Sequence, residues 1–252
     1  MTAEIWFWPV LLGVLGVVFG SFIATIAIRW PAGRSILKGR SECDACAKPL
    51  DWFELVPLLS YAAQLGKCRA CGEGIKPSHP VIELLALAIG VAAGFIAPGA
   101  DGAAGAVFGW LLLALAALDL RAFWLPNELT GALAAAGIFT GVASLQPELV
   151  ERLIGGVAGF LALLLAASAY RVIRGVDGLG GGDPKLLGAI GLWIGWRMLP
   201  LVVFAACVIG LIAVLAMRFS GKKLGMQDRM PLGVLLAVAA WGVWVLERFL
   251  DA

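Results

Sequence analysis

The fold of this chain follows from residues 185–217, which read KLLGAIGLWIGWRMLPLVVFAACVIGLIAVLAM. Lys185 and Arg197 are the only charged residues in this stretch. As one helix it would extend about 50 Å, well beyond the ~30 Å thickness of a bilayer's hydrocarbon core. Because Arg197 and Pro200 lie near its middle, we expect two short membrane helices joined there by a tight turn.

The rest of the 252-residue chain has the same character. Hydrophobic residues make up 61% and charged residues 14%, with a mean hydropathy of +0.94, whereas soluble domains carry about 25% charged residues. This composition excludes a disordered chain, a secreted disulfide scaffold and most soluble folds. Six further apolar stretches predict membrane spans, at residues 6–28, 81–97, 103–120, 128–145, 151–170 and 231–249. The predicted fold is an all-α polytopic membrane protein with about eight transmembrane helices.

The polar segment 29–80 separates the first span from the others, and its charge predicts the orientation of the chain. With this segment in the cytoplasm, 16 of the 19 Lys and Arg residues fall on the inner side, as the positive-inside rule requires. We therefore expect a first transmembrane helix at 1–28, a small cytoplasmic domain at 29–80 and a multi-span core at 81–252. The net charge of +2 is too small to indicate nucleic-acid binding, so the lipid bilayer is the expected surrounding.

Four cysteines in the polar segment form two C-x2-C pairs, Cys43 with Cys46 and Cys68 with Cys71. Two such pairs on separate turns can complete a tetrahedral sulfur site for structural zinc. All four ligands would come from the protein, which leaves no open position for catalysis. Reversible redox thiols and a metal-free tetrad are the alternatives, and a cytoplasmic location argues against disulfides.

Two aspartates, Asp119 and Asp183, end apolar or Gly-rich stretches that are separated by two predicted spans. They therefore share one membrane face, which the charge distribution makes cytoplasmic. Asp183 precedes Pro184, so it also fits the cap of a hydrated helix end. However, the glycines at 180–182 let the backbone bend and let another segment approach closely, which favours a meeting of the two carboxylates.

Two carboxylates that share a proton can polarise water and protonate a leaving amine. This chemistry hydrolyses a peptide bond without histidine, and the chain has one histidine. The alternative is a proton- or ion-coupled membrane transporter with a zinc knuckle, which would also use acids within the membrane. A transporter would favour acids near mid-bilayer and inverted repeats, whereas Asp119 and Asp183 lie at predicted span ends.

Five further residues are candidates for substrate-binding or supporting roles. Gly180 and Gly182 would shape the loop before Asp183, together with Asp177. Lys185 could stabilise the ionised pair or an oxyanion, or it could be an interfacial cation that snorkels to the membrane surface. Glu83 could bind leader or methyl-transfer groups, or it could be an acid favoured at a helix N-terminus.

Four segments, taken in order, resemble a known family along nearly the whole chain. They are GSFIATIAIRWP at 20–31, SHPVIELL at 78–85, Asp119 followed by LPNELT at 125–130, and GGGDPKLL at 180–187. Together with the twin C-x2-C segment, this order is similar to the type IV prepilin peptidases. These are leader peptidases and N-methyltransferases of type IV pili or type II secretion, and they belong to the GxGD aspartyl proteases.

The resemblance implies an intramembrane aspartyl endopeptidase of the bacterial inner membrane, with Asp119 and Asp183 catalytic and the active site facing the cytoplasm. Its substrates would be prepilins or pseudopilins, cleaved after a Gly that ends their basic leader. It also implies N-methylation of the new N-terminus, with S-adenosylmethionine as methyl donor. No dinucleotide-type fingerprint marks a donor site, because the glycines at 180–182 do not follow a strand.

Two departures from the family pattern stand out. Asp177 occupies a position where the family usually has Glu. Residues 231–234 read PLGV, where the family often has Pro-Phe-Gly-Pro. We expect the loss of the second Pro to alter the final span and not the aspartate pair.

Overall fold

The structure is a computed structural model that describes residues 2–36, 41–43, 45–176, 178–220 and 230–250. Within these ranges the regular secondary structure is helical, and the extended backbone is limited to two isolated β-bridges, Glu42 with Pro49 and Lys67 with Gly74. The all-α prediction is therefore confirmed.

The chain forms two compact units, residues 1–106 and 107–252. The first unit contains α1 (Thr2–Arg29), a 3-10 turn (Trp52–Leu55), α2 (Leu59–Ala63) and α3 (Ser78–Ile96). Helix α4 (Ala100–Ala122) begins in the first unit and ends in the second. The second unit continues with α5 (Asn127–Val142), α6 (Leu149–Arg174), α7 (Asp183–Phe219) and α8 (Leu232–Leu250). This division follows packing, whereas the predicted domains followed polarity, so an independently folded domain at 29–80 stays a prediction.

Helices α1 and α3 pack closely because small residues line their contact. A Cβ added at Gly94 would lie 2.6 Å from the backbone of Trp8, and one at Gly20 would lie 2.8 Å from the Cα of Glu83. Close backbone approach of this kind is typical of helix pairs in membranes. This close packing sets the position of Glu83 within the first unit.

In the second unit, α6 packs along α7 through a similar seam. A Cβ at Gly155 would lie 2.6 Å from the carbonyl oxygen of Gly191, and one at Gly159 would lie 2.7 Å from that of Leu187. Trp193 fixes α7 on its other side, since its ring stacks on Phe108 of α4 with centroids 4.8 Å apart. These contacts position the start of α7 relative to α4.

Helix α7 folds back on itself at Gly195, whose φ of 71° and ψ of 179° interrupt the helix. A Cβ at Gly159 would lie within 3.1 Å of both Leu187 and Leu199, residues that would be about 18 Å apart in a continuous helix. The predicted pair of helices with a tight turn is thus present, but the turn lies at Gly195 and not at Arg197 or Pro200. The ring of a proline clashes with the backbone carbonyl one turn earlier in a helix. Gly195 is the nearby residue that tolerates a positive φ.

Six described helices, α1, α3, α4, α6, α7 and α8, are long and apolar enough to cross a membrane. The other two predicted spans correspond to α5, which has 16 residues and is about 24 Å long, and to the second arm of α7. The chain is a multi-pass membrane protein whose apolar helical segments match the eight that were predicted.

Candidate active site and metal centre

Asp119 lies three residues before the end of α4 and is 5% exposed. Its Oδ2 accepts a hydrogen bond of 3.1 Å from the backbone N–H of Val234, in the first turn of α8. A Cβ added at Gly233 would lie 2.8 Å from the same oxygen, so the carboxylate fits against a glycine. The first N–H groups of a helix lack intrahelical partners and favour a negative charge. The start of α8 is therefore a binding surface for the Asp119 carboxylate.

Asp183 begins α7 and is 7% exposed. Its Oδ2 accepts the N–H of Gly180 at 3.1 Å, and its own N–H donates to the carbonyl of Gly180 at 3.2 Å. The carboxylate thus bonds to the Gly-rich loop and makes no side-chain cap on α7. A plain helix cap, which the Asp-Pro pair also suggested, does not explain this side chain.

The two aspartates come together in the second unit. The charge of Asp119 acts on the carboxyl group of Asp183. Leu125 packs beside Gly182, which precedes Asp183, and beside Gly233, which contacts Asp119. A Cβ at Gly182 would lie 2.8 Å from Leu125, and one at Gly233 would lie 3.1 Å from it. Two buried carboxylates that repel each other favour a state in which one holds a proton. The arrangement can therefore supply an acid and a base at one place.

The other predicted residues fall in different positions. Lys185 is exposed, and its Nζ donates to Oδ1 of Asn127 at 2.7 Å, which links α5 to α7. Two residues along a helix turn about 200°, so Lys185 and Asp183 lie on opposite sides of α7. Asp177 lies outside the described residues. Glu83 belongs to the first unit, where its Oε2 accepts the N–H of Leu58 at 2.8 Å.

The sequence expectation for residues 231–234 needs correction. Gly233 and Val234 contact Asp119 directly, so the change in the family's Pro-Phe-Gly-Pro pattern affects the aspartate pair itself. A proline at 234 would have no N–H to donate. The sequence carried one sign of this contact. Gly233 lies in the first turn of a predicted span, and a glycine there permits close approach of another segment.

This contact gives a first prediction. Val234→Pro removes the N–H that reaches Asp119, yet proline is tolerated in the first turn of a helix. Hydrogen bonds to charged groups contribute about 1.5–3 kcal/mol, so we expect peptide cleavage at saturating substrate to slow by about tenfold or more.

The matched control is Val234→Ala, which keeps the N–H and should cleave at the wild-type rate. The measurement is the cleavage rate at saturating and at limiting substrate for the two variants. Equal rates for the proline and alanine variants would show that the hydrogen bond does not matter.

The four cysteines converge in the first unit. Their Sγ atoms all lie within 4.8 Å of one another, and those of Cys43 and Cys71 are 3.9 Å apart. Sulfurs held at about 2.3 Å from a zinc ion in a tetrahedron are about 3.8 Å apart. The two pairs form equivalent turns, since the residues that follow them, Ala47 and Gly72, have φ values of 57° and 73°. The donor set therefore fits zinc.

The environment of the sulfurs supports the same conclusion. Backbone N–H groups of Cys71 and Ala70 lower the pKa of the Cys68 thiol to about 7, which favours the thiolate that binds metal. Although the N–H of Glu73 favours the thiolate of Cys71, desolvation and the neighbouring thiols raise its pKa to about 12. Four sulfurs at this distance resist ionising together, and a cation would relieve their repulsion.

The buried aspartate pair at the helix ends, together with the cysteine tetrad, gives this membrane protein the features of a membrane peptidase. Residues 106–215 match the family model described as type IV leader peptidase family, and residues 14–96 match the bacterial peptidase A24 N-terminal domain. The chain belongs to the type IV leader peptidase family and is an enzyme of that family.

Curated relatives carry the name prepilin leader peptidase/N-methyltransferase. The one from Burkholderia pseudomallei (strain K96243) is 36% identical over 89% of this chain and 81% of its own length. The relative from Klebsiella pneumoniae is 35% identical over 79% and 90%, and that from Dickeya chrysanthemi is 33% identical over 92% and 90%. No solved structure matches the chain. The resemblance seen in the sequence is confirmed.

Proposed function

We propose that this protein removes the basic leader from type IV prepilins or type II secretion pseudopilins by aspartyl hydrolysis. The observation that carries the proposal is the pair of buried carboxylates, Asp119 and Asp183, each held by a backbone N–H. The relatives' names supply the substrate class. Cleavage is proposed after the Gly that ends the leader, immediately before the apolar segment of the mature protein.

The geometry suggests separate roles for the two aspartates. Asp119 accepts from the N-terminal turn of α8, which stabilises its ionised form, so we assign it as the base that takes a proton from water. Asp183 is assigned as the acid that donates a hydrogen bond to the scissile carbonyl. The water oxygen adds to the carbonyl carbon, and the leaving amine takes a proton as the C–N bond breaks. Asp119 gives this amine the proton that it took from water, and Asp183 takes back the proton that it shared with the carbonyl oxygen, so the pair returns to its starting protonation state within one turnover.

The location follows from the charge distribution. Helix α4 ends, and α7 and α8 begin, beside the two aspartates, and 16 of the chain's 19 cations lie on this predicted side. We therefore place the site at the cytoplasmic face of the inner membrane. A basic leader in the cytoplasm would reach it without crossing the bilayer. A transporter would favour acids nearer mid-bilayer, and these two lie at helix ends.

A second reaction, N-methylation of the new N-terminus, is proposed from the relatives' names. S-adenosylmethionine would supply an electrophilic methyl group. The neutral N-terminal amine forms the N–C bond with its lone pair, the sulfur keeps the electrons of the broken S–C bond, and the product is a methylammonium.

The test is incubation of purified protein in detergent micelles with a prepilin precursor and S-adenosylmethionine, followed by intact mass measurement. We expect loss of the leader together with the gain of one methyl group. Leader loss alone would remove the methyl-transfer proposal. If the protein cleaved none of several type IV prepilins and type II secretion pseudopilins, the peptidase proposal would be overturned and the transporter alternative would be favoured.

Structural zinc gives a second prediction. Protein purified without chelators should contain about one zinc per chain, as expected of a site with four cysteine ligands, and Cys71→Ser should lower both the zinc content and the melting temperature. Cys207→Ser is the matched control, because Cys207 is exposed on α7. Metal analysis by mass spectrometry checks both variants. Zinc well below one equivalent in the wild type would count against the site.

A further inference from the structure

An apolar surface lies on residues 52–65, within the polar segment that joins α1 to α3. Three large side chains on it are mostly exposed, since Trp52, Leu59 and Leu65 have exposed fractions of 80%, 70% and 86%. Side chains of this kind are usually buried in a folded domain, and several of them exposed within a short segment mark a contact with a partner or a membrane. The 52–65 segment is therefore expected to contact something other than water.

The side chains of the 52–65 segment are arranged inside out. In the 3-10 turn, Glu54 is buried, whereas its neighbours Phe53 and Leu55 are exposed. At α2, Ser60 and Gln64 are half-buried on one side. The other side of α2 is exposed and apolar, and it carries Leu59, Ala62 and Ala63. A helix that faces water has the reverse pattern, with its polar side outward, so the outer side of this segment matches an apolar medium.

The position of the 52–65 segment along the helices identifies that medium. The N–H of Leu58 donates to Oε2 of Glu83 at 2.8 Å, and Glu83 lies in the second turn of α3, a helix able to cross a membrane. Glu83 packs against Gly20 of α1, and α1 continues for nine residues after Gly20, or about 14 Å. The segment therefore lies beside the ends of α1 and α3 and not beyond them, at the level where a bilayer's headgroup region begins.

Two exposed cations adjoin the apolar side chains. The guanidinium of Arg69 lies 5.2 Å from the ring centroid of Phe53, which in turn contacts the ring of Trp52. Lys67 follows Leu65 by two residues in the chain. Across residues 48–76 the exposed cations outnumber the exposed acids, with Lys48, Lys67, Arg69 and Lys76 against Asp51 and Glu73. Cations beside an apolar, aromatic surface are typical of segments that bind anionic lipid surfaces.

From these features we propose that the 52–65 segment docks on the membrane leaflet beside α1 and α3, with Trp52, Leu59 and Leu65 at the boundary between headgroups and acyl chains. Lys67 and Arg69 then lie at the level of the headgroups and bind the phosphates of anionic lipids. The proposal is independent of the chemistry proposed for the aspartates. It also brings the second cysteine turn to the membrane surface, because Cys68 lies between these two cations in the chain.

The test is photo-crosslinking of the full chain in nanodiscs that contain equal amounts of phosphatidylglycerol, which is anionic, and phosphatidylcholine, which is zwitterionic. A prepilin precursor is also present. Leu65 is replaced by p-benzoylphenylalanine, which on illumination inserts into nearby C–H bonds, and intact mass identifies the attached molecule. We expect lipid adducts at position 65 and, in a second variant, at position 59. The matched control carries the same replacement at Glu73, which is exposed but outside the 52–65 segment, and should gain no lipid adduct.

The identity of the captured lipid tests the two cations. A Lys or Arg near a membrane surface favours an anionic lipid by about fivefold, so position 65 should capture phosphatidylglycerol over phosphatidylcholine by about that factor or more. Lys67→Gln combined with Arg69→Gln should bring the ratio close to one. Arg197→Gln is the control, because it removes an exposed cation of the second unit and should leave the ratio unchanged. Zinc content and melting temperature check that each variant is folded.

Several results would overturn the proposal. If folded protein captured no lipid at positions 59 and 65, or captured as much at position 73, the apolar side chains would not be docked on the leaflet. Adducts with the mass of two chains, or of one chain and the precursor, would make this surface a contact with a second copy or with the substrate. A lipid ratio unchanged by the double Gln variant would overturn the role of Lys67 and Arg69. The cleavage assay stands apart from all of these results.

Discussion

Asp183→Asn is expected to abolish cleavage of the precursor, with a loss of at least about 10³-fold, near the upper range of general acid–base catalysis. Asparagine has nearly the same shape, and its Oδ1 can still accept the N–H of Gly180, so the Gly-rich loop should keep its conformation. The amide cannot exchange a proton with water or with the leaving amine. The measurement is the single-turnover rate of leader removal, followed by intact mass.

The matched control for this variant is Asp101→Asn, which changes another aspartate on the same helix as Asp119. Asp101 lies in the first turn of α4 and is far along the helix from the pair, so cleavage should continue at the wild-type rate. A melting temperature close to that of the wild type would show that Asp183→Asn is folded. Cleavage at an ordinary rate by the folded Asn variant would contradict the assignment of Asp183.

Arg152→Met is expected to cause the largest loss of stability. Arg152 is 2% exposed, and its guanidinium donates to five backbone carbonyls, those of Gly137, Leu145, Gln146, Pro147 and Leu192. These bonds tie the end of α5, the loop before α6 and the first arm of α7 together. Removing the guanidinium leaves buried carbonyls unpaired, which we expect to cost about 3–5 kcal/mol.

The comparison for Arg152 uses two further variants. Arg152→Lys keeps the charge but offers three donors without the fork geometry, so its stability should be intermediate. Arg197→Met removes an arginine whose partner, Glu151, lies 2.9 Å away but whose side chain is 68% exposed; exposed pairs contribute about 0–1 kcal/mol. Denaturant unfolding in mixed micelles measures all three. Equal stability of Arg152→Met and Arg197→Met would contradict this account of Arg152.

Much of the fold could be predicted from the sequence because membrane helices impose a strong constraint on composition. Apolar stretches of sufficient length gave the helical segments, and the charges between them gave a consistent orientation. The twin C-x2-C spacing predicted a cluster of sulfurs, and the structure brings those sulfurs together. The aspartate pair was predicted from span parity and from glycines next to Asp183, both of which are local features of the sequence.

Contacts between distant segments were less predictable. Arg152 lies at the start of the predicted span 151–170, and its burial depends on carbonyls of the loop before α6 and of two other helices, α5 and α7. The break in α7 was predicted near Arg197 and Pro200, whereas the chain turns at Gly195, because a proline disturbs the preceding turn and the nearest glycine adopts the required φ. Val234 shows no local sign that its N–H faces Asp119, 115 positions earlier in the chain.

The most direct test of the central claim is a double-mutant cycle on Asp119 and Asp183. Single-turnover cleavage of one precursor would be measured for Asp119→Asn, Asp183→Asn and the combined variant. If the two carboxylates act as one unit, either single change removes the same activity, and we expect the combined variant to cleave no more slowly than the single variants. Losses that multiply in the combined variant, or cleavage that persists when either aspartate is replaced, would contradict a catalytic pair.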